Sequence, residues 1–214
     1  MFLNEENQEF VREILSDMQD DVVLTYFTQK LECMYCKETH ELLRELVALS
    51  DQLTLKSHNY IEDQALADQM GVKQIPAIII SRKQNSNHRI KFYGIPSGYE
   101  FSSLLEDIVD VSKNNPGFDE DFLQEVRKID KPVHIQVFVT PTCPYCPSAV
   151  RTAHRLAIAN PNISADMVEA TEFPHLAQKY YIRGVPKSVI NEKWSLEGAV
   201  PERAFLDKIK ESIQ

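Results

Sequence analysis

The sequence predicts an α/β chain made of two tandem copies of one unit, each a mixed central sheet with helices on both faces. Three observations predict it. The motif C-x-x-C occurs twice, as Cys33 with Cys36 and as Cys143 with Cys146; each occurrence lies between a β-type apolar run and a helical pattern; and Pro76 follows Cys33 at the same distance as Pro186 follows Cys143. Repetition of this kind constrains a fold strongly, because both copies must solve one packing problem in the same way.

Phe10 and Ile14 head an amphipathic helix in the first copy, as Phe122 and Val126 do in the second. A strand comes next: residues 22–27 read Val-Val-Leu-Thr-Tyr-Phe, and residues 133–139 read Val-His-Ile-Gln-Val-Phe-Val. Each cysteine pair sits where that strand hands over to a helix. Leu42, Leu43, Leu46 and Leu49 then recur at helical spacing, as do Val150, Ala153, Leu156, Ala157 and Ile158. Further strands are expected around residues 53–55 and 163–168, each followed by a helix. Met70-Gly71-Val72-Lys73-Gln74-Ile75-Pro76 aligns without gaps on Tyr180-Tyr181-Ile182-Arg183-Gly184-Val185-Pro186. Two strands and a helix close each copy, with Gly94 matching Gly198 and Phe101 matching Phe205. These matches leave about six extra residues in the first copy, assigned to a longer hairpin loop in the polar stretch 81–87. A strand–helix–strand crossover makes a parallel pair and the closing strands make a hairpin, hence the mixed sheet. The breaker cluster Lys113-Asn114-Asn115-Pro116-Gly117 divides the copies. The expected units are 1–112 and 119–214, with 113–118 as linker.

Composition narrows the function classes. With 43% apolar and 26% charged residues among 214, the chain reads as globular. No apolar run approaches the roughly 20 residues of a membrane span, so no membrane association is expected. The acidic start, with Glu5 and Glu6, lacks the basic segment of a signal peptide, and a cytoplasmic location is expected. A net charge of −9 argues against nucleic acid as a partner, since that affinity comes from neutralising phosphates. The excess acid is all in the first unit: residues 1–112 carry 10 basic and 19 acidic side chains, and residues 113–214 carry 13 of each. In a reducing compartment four cysteines are redox-active or metal-binding rather than staples. Zinc ribbons place their two pairs about 15 to 20 residues apart, whereas Cys143 comes 107 residues after Cys36. The six histidines form no H-x-x-x-H pair. No metal is therefore expected, and thiol chemistry calls for no bound cofactor. Trp194 reads as packing on the last hairpin, and Glu5, Glu6, Glu9 and Glu13 as a solvated helix face.

C-x-x-C on the first turn of a helix supplies what thiol–disulfide exchange needs, an attacking thiolate and a second thiol close enough to resolve the mixed disulfide. The unpaired N–H groups and positive end of the helix stabilise the thiolate of the first cysteine. Cys33 and Cys143 are thus expected to be the nucleophiles, and Cys36 and Cys146, one turn inward and more buried, the resolving thiols. Cys33 has Glu32, Glu38 and Glu41 nearby against Lys37 alone, whereas the helix after Cys143 carries Arg151 and Arg155. Negative charge disfavours a thiolate, so Cys143 is expected to be the more acidic thiol and the main substrate-facing one.

These residues carry a family resemblance. C-x-x-C at a strand-to-helix turn, followed some 40 residues later by a proline after a hydrophobic residue, resembles the thioredoxin fold with its cis-proline loop. Cys143-Pro144-Tyr145-Cys146 is the glutaredoxin pattern. Two such units in tandem, each with its own C-x-x-C, resemble the glutaredoxin-like protein disulfide oxidoreductases over essentially the whole chain. The run from Glu169 to Ala177, leading to Val185-Pro186, is also similar to the N-terminal region of the alkyl hydroperoxide reductase flavoprotein subunit. In that relative the first unit has lost its cysteines, so retention of Cys33 and Cys36 favours the disulfide oxidoreductase. The resemblance implies thioredoxin-like units in which Pro76 and Pro186 are cis and present the backbone of Ile75 and Val185 to an extended substrate segment. It implies as partners proteins bearing disulfides or dithiols, and a thioredoxin-reductase-like flavoenzyme as electron source. This sequence departs from thioredoxins in having Glu32 and Thr142 before the cysteines in place of Trp, and in having no acid on either preceding strand to serve as buried proton acceptor. Gly184-Val185-Pro186 and the lone Gly198 also depart from the glutathione-binding pattern. Two other functions fit the residues: an electron shuttle from a flavoprotein reductase to a peroxidase, and a binding or metal-buffering module whose cysteines are not catalytic.

Overall fold

The structure, a computed structural model, describes residues 2–85 and 87–214. Met1 lies outside the described residues, as does Ser86 in the polar stretch read as a hairpin loop. The elements of the first copy are α1 (Glu5–Leu15), β1 (Val22–Thr28), α2 (Cys36–Val47), β2 (Leu53–Asn59), α3 (Gln64–Gln69), β3 (Ala77–Arg82), β4 (Ile90–Tyr93) and α4 (Glu100–Lys113). Those of the second are α5 (Glu120–Arg127), β5 (Val133–Val139), α6 (Cys146–Ala159), β6 (Ile163–Glu169), α7 (Pro174–Lys179), β7 (Lys187–Ile190), β8 (Trp194–Glu197) and α8 (Glu202–Ser212).

The two copies form one continuous eight-stranded sheet in the order β2-β1-β3-β4-β6-β5-β7-β8. β4 of the first copy pairs in parallel with β6 of the second, setting Lys91 opposite Asp166 and Phe92 opposite Met167. The sequence carries a reason for this asymmetry. β2, which occupies an outer edge, ends Lys-Ser-His-Asn and is largely solvated, while its counterpart β6 reads Ile-Ser-Ala-Asp-Met-Val-Glu and is buried over most of its length. Polar side chains protect a free edge from further pairing; β6 lacks that protection and is covered.

Both entry helices are capped alike: Asn4 accepts from the backbone N–H of Asn7, and Asp119 from that of Phe122, each at 2.8 Å. Their buried faces differ by one position from expectation in the first copy. α1 turns Val11 and Leu15 inward and leaves Phe10 57% exposed, whereas α5 buries Phe122 and Val126. The apolar residues Phe10, Val11, Ile14 and Leu15 fit two faces about 100° apart, and periodicity alone does not choose between them. A main core runs through both copies from Leu3 to Ile209, and a smaller one gathers Phe27, Tyr93, Phe138 and Phe173. Trp194 packs against the main core, with Lys193 and Lys208 over its ring.

A buried polar clamp joins α4 to α6. Arg151 on α6 bonds Asp107, Asp110 and Glu106 of α4, and the second oxygen of Asp107 pairs with Nδ1 of the fully buried His154.

Candidate active sites

Each cysteine pair is joined as a disulfide, Cys33 to Cys36 and Cys143 to Cys146, with Cα atoms 5.5 Å apart in both. Cys36 and Cys146 are the first residues of α2 and α6, and neither helix has a side-chain cap. The contrast with capped α1 and α5 matters: where no side chain takes the first backbone N–H groups, they remain available to a sulfur held just before the helix. Cys36 and Cys146 are buried, as inward-facing thiols should be. Cys33 is half-buried and Cys143 is 8% exposed, so the first site presents the more accessible leading cysteine.

Sheet register sets each proline beside the strand end from which the loop to its cysteines starts. Ala77 pairs with Phe27, which places Pro76 beside the end of β1 where the loop to Cys33 begins; Lys187 pairs with Phe138 and does the same for Pro186. The Ile75–Pro76 and Val185–Pro186 bonds are both cis. Gly94 donates its N–H to the Pro76 carbonyl at 3.0 Å, and Gly198 to that of Pro186 at 2.8 Å. Large apolar side chains surround the motifs in solvent: Leu31 and Met34 are 79% and 82% exposed beside Cys33, and Tyr145 is 69% exposed between Cys143 and Cys146.

Of the charges expected to set the two sites apart, the arginines of α6 are turned elsewhere. Arg151 is held by three carboxylates of α4, and Arg155 bonds the Pro116 carbonyl and lies over the Phe118 ring, so both are engaged away from the sulfur. What remains is the helix start: the first turn of α2 contains Glu38, while that of α6 contains no acid. Tyr26 adds a second difference. Its hydroxyl donates to the Cys36 carbonyl at 2.6 Å, and burial pushes the phenol up to about 12, so the donor stays protonated. Val137 occupies the corresponding place in β5, where no such bond is possible.

Acids absent from the strands arrive from the opposite unit. Glu100, at the start of α4, lies beside the loop leading to Cys143: Tyr99 donates to the Pro141 carbonyl at 3.1 Å, and a Cβ on Gly98 would lie 2.1 Å from that oxygen. Glu100 is 2% exposed and neither carboxyl oxygen has a hydrogen-bond partner among the described residues. Burial pushes its pKa up to about 7; nearby Ser103 opposes the shift and Asp107 reinforces it. Reciprocally, Glu172 of the second unit accepts from the Ile95 N–H at 2.7 Å, one residue past Gly94. Its pKa is also raised to about 7, by burial first and by Glu169. Gly94 has φ +93°, and a Cβ there would come within 2.7 Å of Glu172, so this crossing requires glycine. Strand-by-strand reading missed both acids because each belongs to the other copy.

Glu100 supports a pH prediction. A carboxyl whose folded pKa is raised contributes stability fully below its ordinary value of 4.5 and loses it as pH climbs through about 7. Glu100→Gln should therefore stabilise the chain at about pH 8 by up to about 3 kcal/mol, with the gain vanishing below about pH 5. Denaturant midpoints measured across that range check it; a pH-independent difference contradicts it.

Comparison with known proteins agrees with this geometry. The thioredoxin family model matches residues 2–106, and a second model, described as a thioredoxin domain, matches 133–211. Both halves of the chain are thioredoxin domains, and the whole is a tandem thioredoxin-fold redox protein with two C-x-x-C sites able to form disulfides. Among particular relatives, the F subunit of alkyl hydroperoxide reductase from Staphylococcus aureus is 26% identical over 173 residues, which are 81% of this chain and 31% of that protein. The chain thus spans about a third of the length of the curated relatives it matches. A protein disulfide oxidoreductase from Aeropyrum pernix superposes with a TM-score of 0.91 at 29% identity, over 99% of this chain and 94% of the other. The F subunit of the Enterococcus faecalis alkylhydroperoxide reductase also scores 0.91, at 24% identity, over 98% of this chain and 100% of that one. No helix among the described residues is long and apolar enough to cross a membrane.

Proposed function

We propose that the chain is a protein dithiol/disulfide oxidoreductase with two working sites, one per unit, divided near residues 113–118. The observation that carries this reading is that each C-x-x-C starts an uncapped helix at the strand end to which a cis-proline loop is also brought. In the reducing direction the thiolate of Cys33 or Cys143 attacks one sulfur of a substrate disulfide. The substrate S–S bond breaks, a mixed disulfide forms and the first substrate thiolate departs. The resolving thiol, Cys36 or Cys146, gives up its proton and attacks the bonded sulfur of Cys33 or Cys143; the internal disulfide closes and the second substrate thiolate leaves. Two electrons pass to the substrate, and a dithiol or a thioredoxin-reductase-like flavoenzyme returns them. Oxidation runs the same steps backwards. Ile75 and Val185 offer backbone groups beside the sulfurs to an extended segment of the protein substrate. A cytoplasmic setting fits cysteines that cycle rather than staple. Accelerated reduction of insulin by dithiothreitol tests the reading.

Likeness to the Staphylococcus aureus alkyl hydroperoxide reductase protein over 81% of the chain supports a second reading, an electron shuttle from a flavoprotein reductase to a peroxidase. It requires fast transfer to one peroxidase and poor reduction of insulin.

The sites differ in thiolate stabilisation, since Glu38 sits in the first turn of α2 and α6 has no counterpart. Thiolate absorbance titrated in Cys36→Ser and Cys146→Ser variants is expected to give Cys143 the lower pKa. A lower value at Cys33 would sink the proposed inequality.

A further inference from the structure

A polar cleft of about 450 Å³ opens at the seam between the two units, lined from β4, β5, β6, α7 and the loop after α3, with none of the four cysteines among its lining residues. Its floor is unusual. Lys91 on β4 and Asp166 on β6 face each other across the seam, with side chains only 8% and 5% exposed, yet Nζ and Oδ1 are 3.8 Å apart, beyond hydrogen-bond reach. Asp166 Oδ2 is taken by Nε2 of His134 at 2.5 Å, while Oδ1 has no hydrogen-bond partner among the described residues. Buried lysines and aspartates are ordinarily saturated with partners; here the three-donor ammonium of Lys91 lines the cleft with its ion pair to Asp166 stretched to 3.8 Å, while Asp166 Oδ1 is itself closed to solvent. Tyr93 joins the wall, and Lys73 and Lys179 stand exposed at the rim. Lys179 is paired with Glu192 at 3.4 Å on that rim, so three ammonium groups stand against the carboxylates of Asp166 and Glu192, an excess of one positive charge in a chain whose net charge is −9.

We propose that this cleft binds a small oxyanion, the phosphoryl or carboxylate group of a metabolite. The anionic oxygens would take the donors of Lys91 with Lys73 and Lys179 closing over them, Lys179 exchanging its Glu192 partner for the ligand. A weld between β4 and β6 alone would need no such arrangement, because an apolar pair joins strands at lower desolvation cost. The site is independent of the thiol chemistry and stands or falls separately from it.

Titrating the full oxidised chain with inorganic phosphate, and separately with malate, tests the proposal, with ionic strength held constant by sodium chloride and amide NMR shifts as readout. At least one anion should give saturable shifts at Lys91, Tyr93, His134 and Asp166 with a Kd at or below about 1 mM. Phosphate alone saturating identifies a phosphoryl ligand, and malate alone a carboxylate. Lys91→Gln should weaken binding at least about tenfold, and the rim variant Lys73→Gln with Lys179→Gln at least about threefold. The rim variant decides the matter if Lys91→Gln does not fold. Shifts that rise linearly in both arms to about 10 mM, or saturable binding that the rim variant leaves unchanged, overturn the proposal.

Discussion

A Cys33→Ser, Cys143→Ser double variant is expected to lose the catalysed reduction of insulin by dithiothreitol, falling by at least about two orders of magnitude to the uncatalysed rate. Serine preserves the size of the side chain but supplies no thiolate at neutral pH. The geometry of the sites makes the single variants informative as well. Each C-x-x-C has its own uncapped helix and its own proline loop, so neither site needs the other's sulfur, and each single variant should keep part of the activity. Cys33 is the more accessible of the two leading cysteines, and the helix after Cys143 has no acid in its first turn. If access governs the rate, Cys33→Ser removes the larger share; if thiolate stability governs, Cys143→Ser does. Undiminished activity in the double variant would place the cysteines outside the reaction.

The largest expected stability loss lies away from the cysteines. Asp107 is fully buried and receives both Arg151 and His154, so Asp107→Ala leaves a guanidinium that is 14% exposed and a buried imidazole without their shared partner. Breaking one member of such a set costs about 3–5 kcal/mol, or on the order of 10 °C in Tm for a chain of this size. The exposed Lys83–Asp21 pair, with side chains 63% and 47% exposed, is the control: Asp21→Ala should cost less than about 1 kcal/mol. Thermal and denaturant unfolding of both variants measures the contrast. A loss at Asp107 no larger than at Asp21 would show that the clamp between α4 and α6 carries no weight.

What could be read in the sequence was what each unit decides for itself. Apolar runs beside Cys33 and Cys143, and the aligned segments ending in Pro76 and Pro186, encode a strand–helix–strand–hairpin order within about 100 residues. Relations between the units were not legible. The pairing of β4 with β6 depends on two edges meeting, and the sequence of β6 shows only that its edge is unprotected. Glu100 looks like an ordinary first-turn acid on a helix, and the sequence does not show that it is buried. The charge asymmetry changes meaning in the same way: Glu106, Asp107 and Asp110 belong to the acidic first unit but are held by Arg151 of the second, so their charge does not bear on Cys33. Among the first unit's own acids, Glu38 stands in the first turn of the helix that Cys36 begins.

The reduction potential of each pair, measured in variants retaining a single C-x-x-C against glutathione or thioredoxin buffers, decides whether both sites exchange electrons. Two exchange-competent sites predict two-electron couples within the range of dithiol oxidoreductases, about −270 to −120 mV. A pair poised below about −300 mV would be a structural disulfide, and that result at both sites would contradict the account.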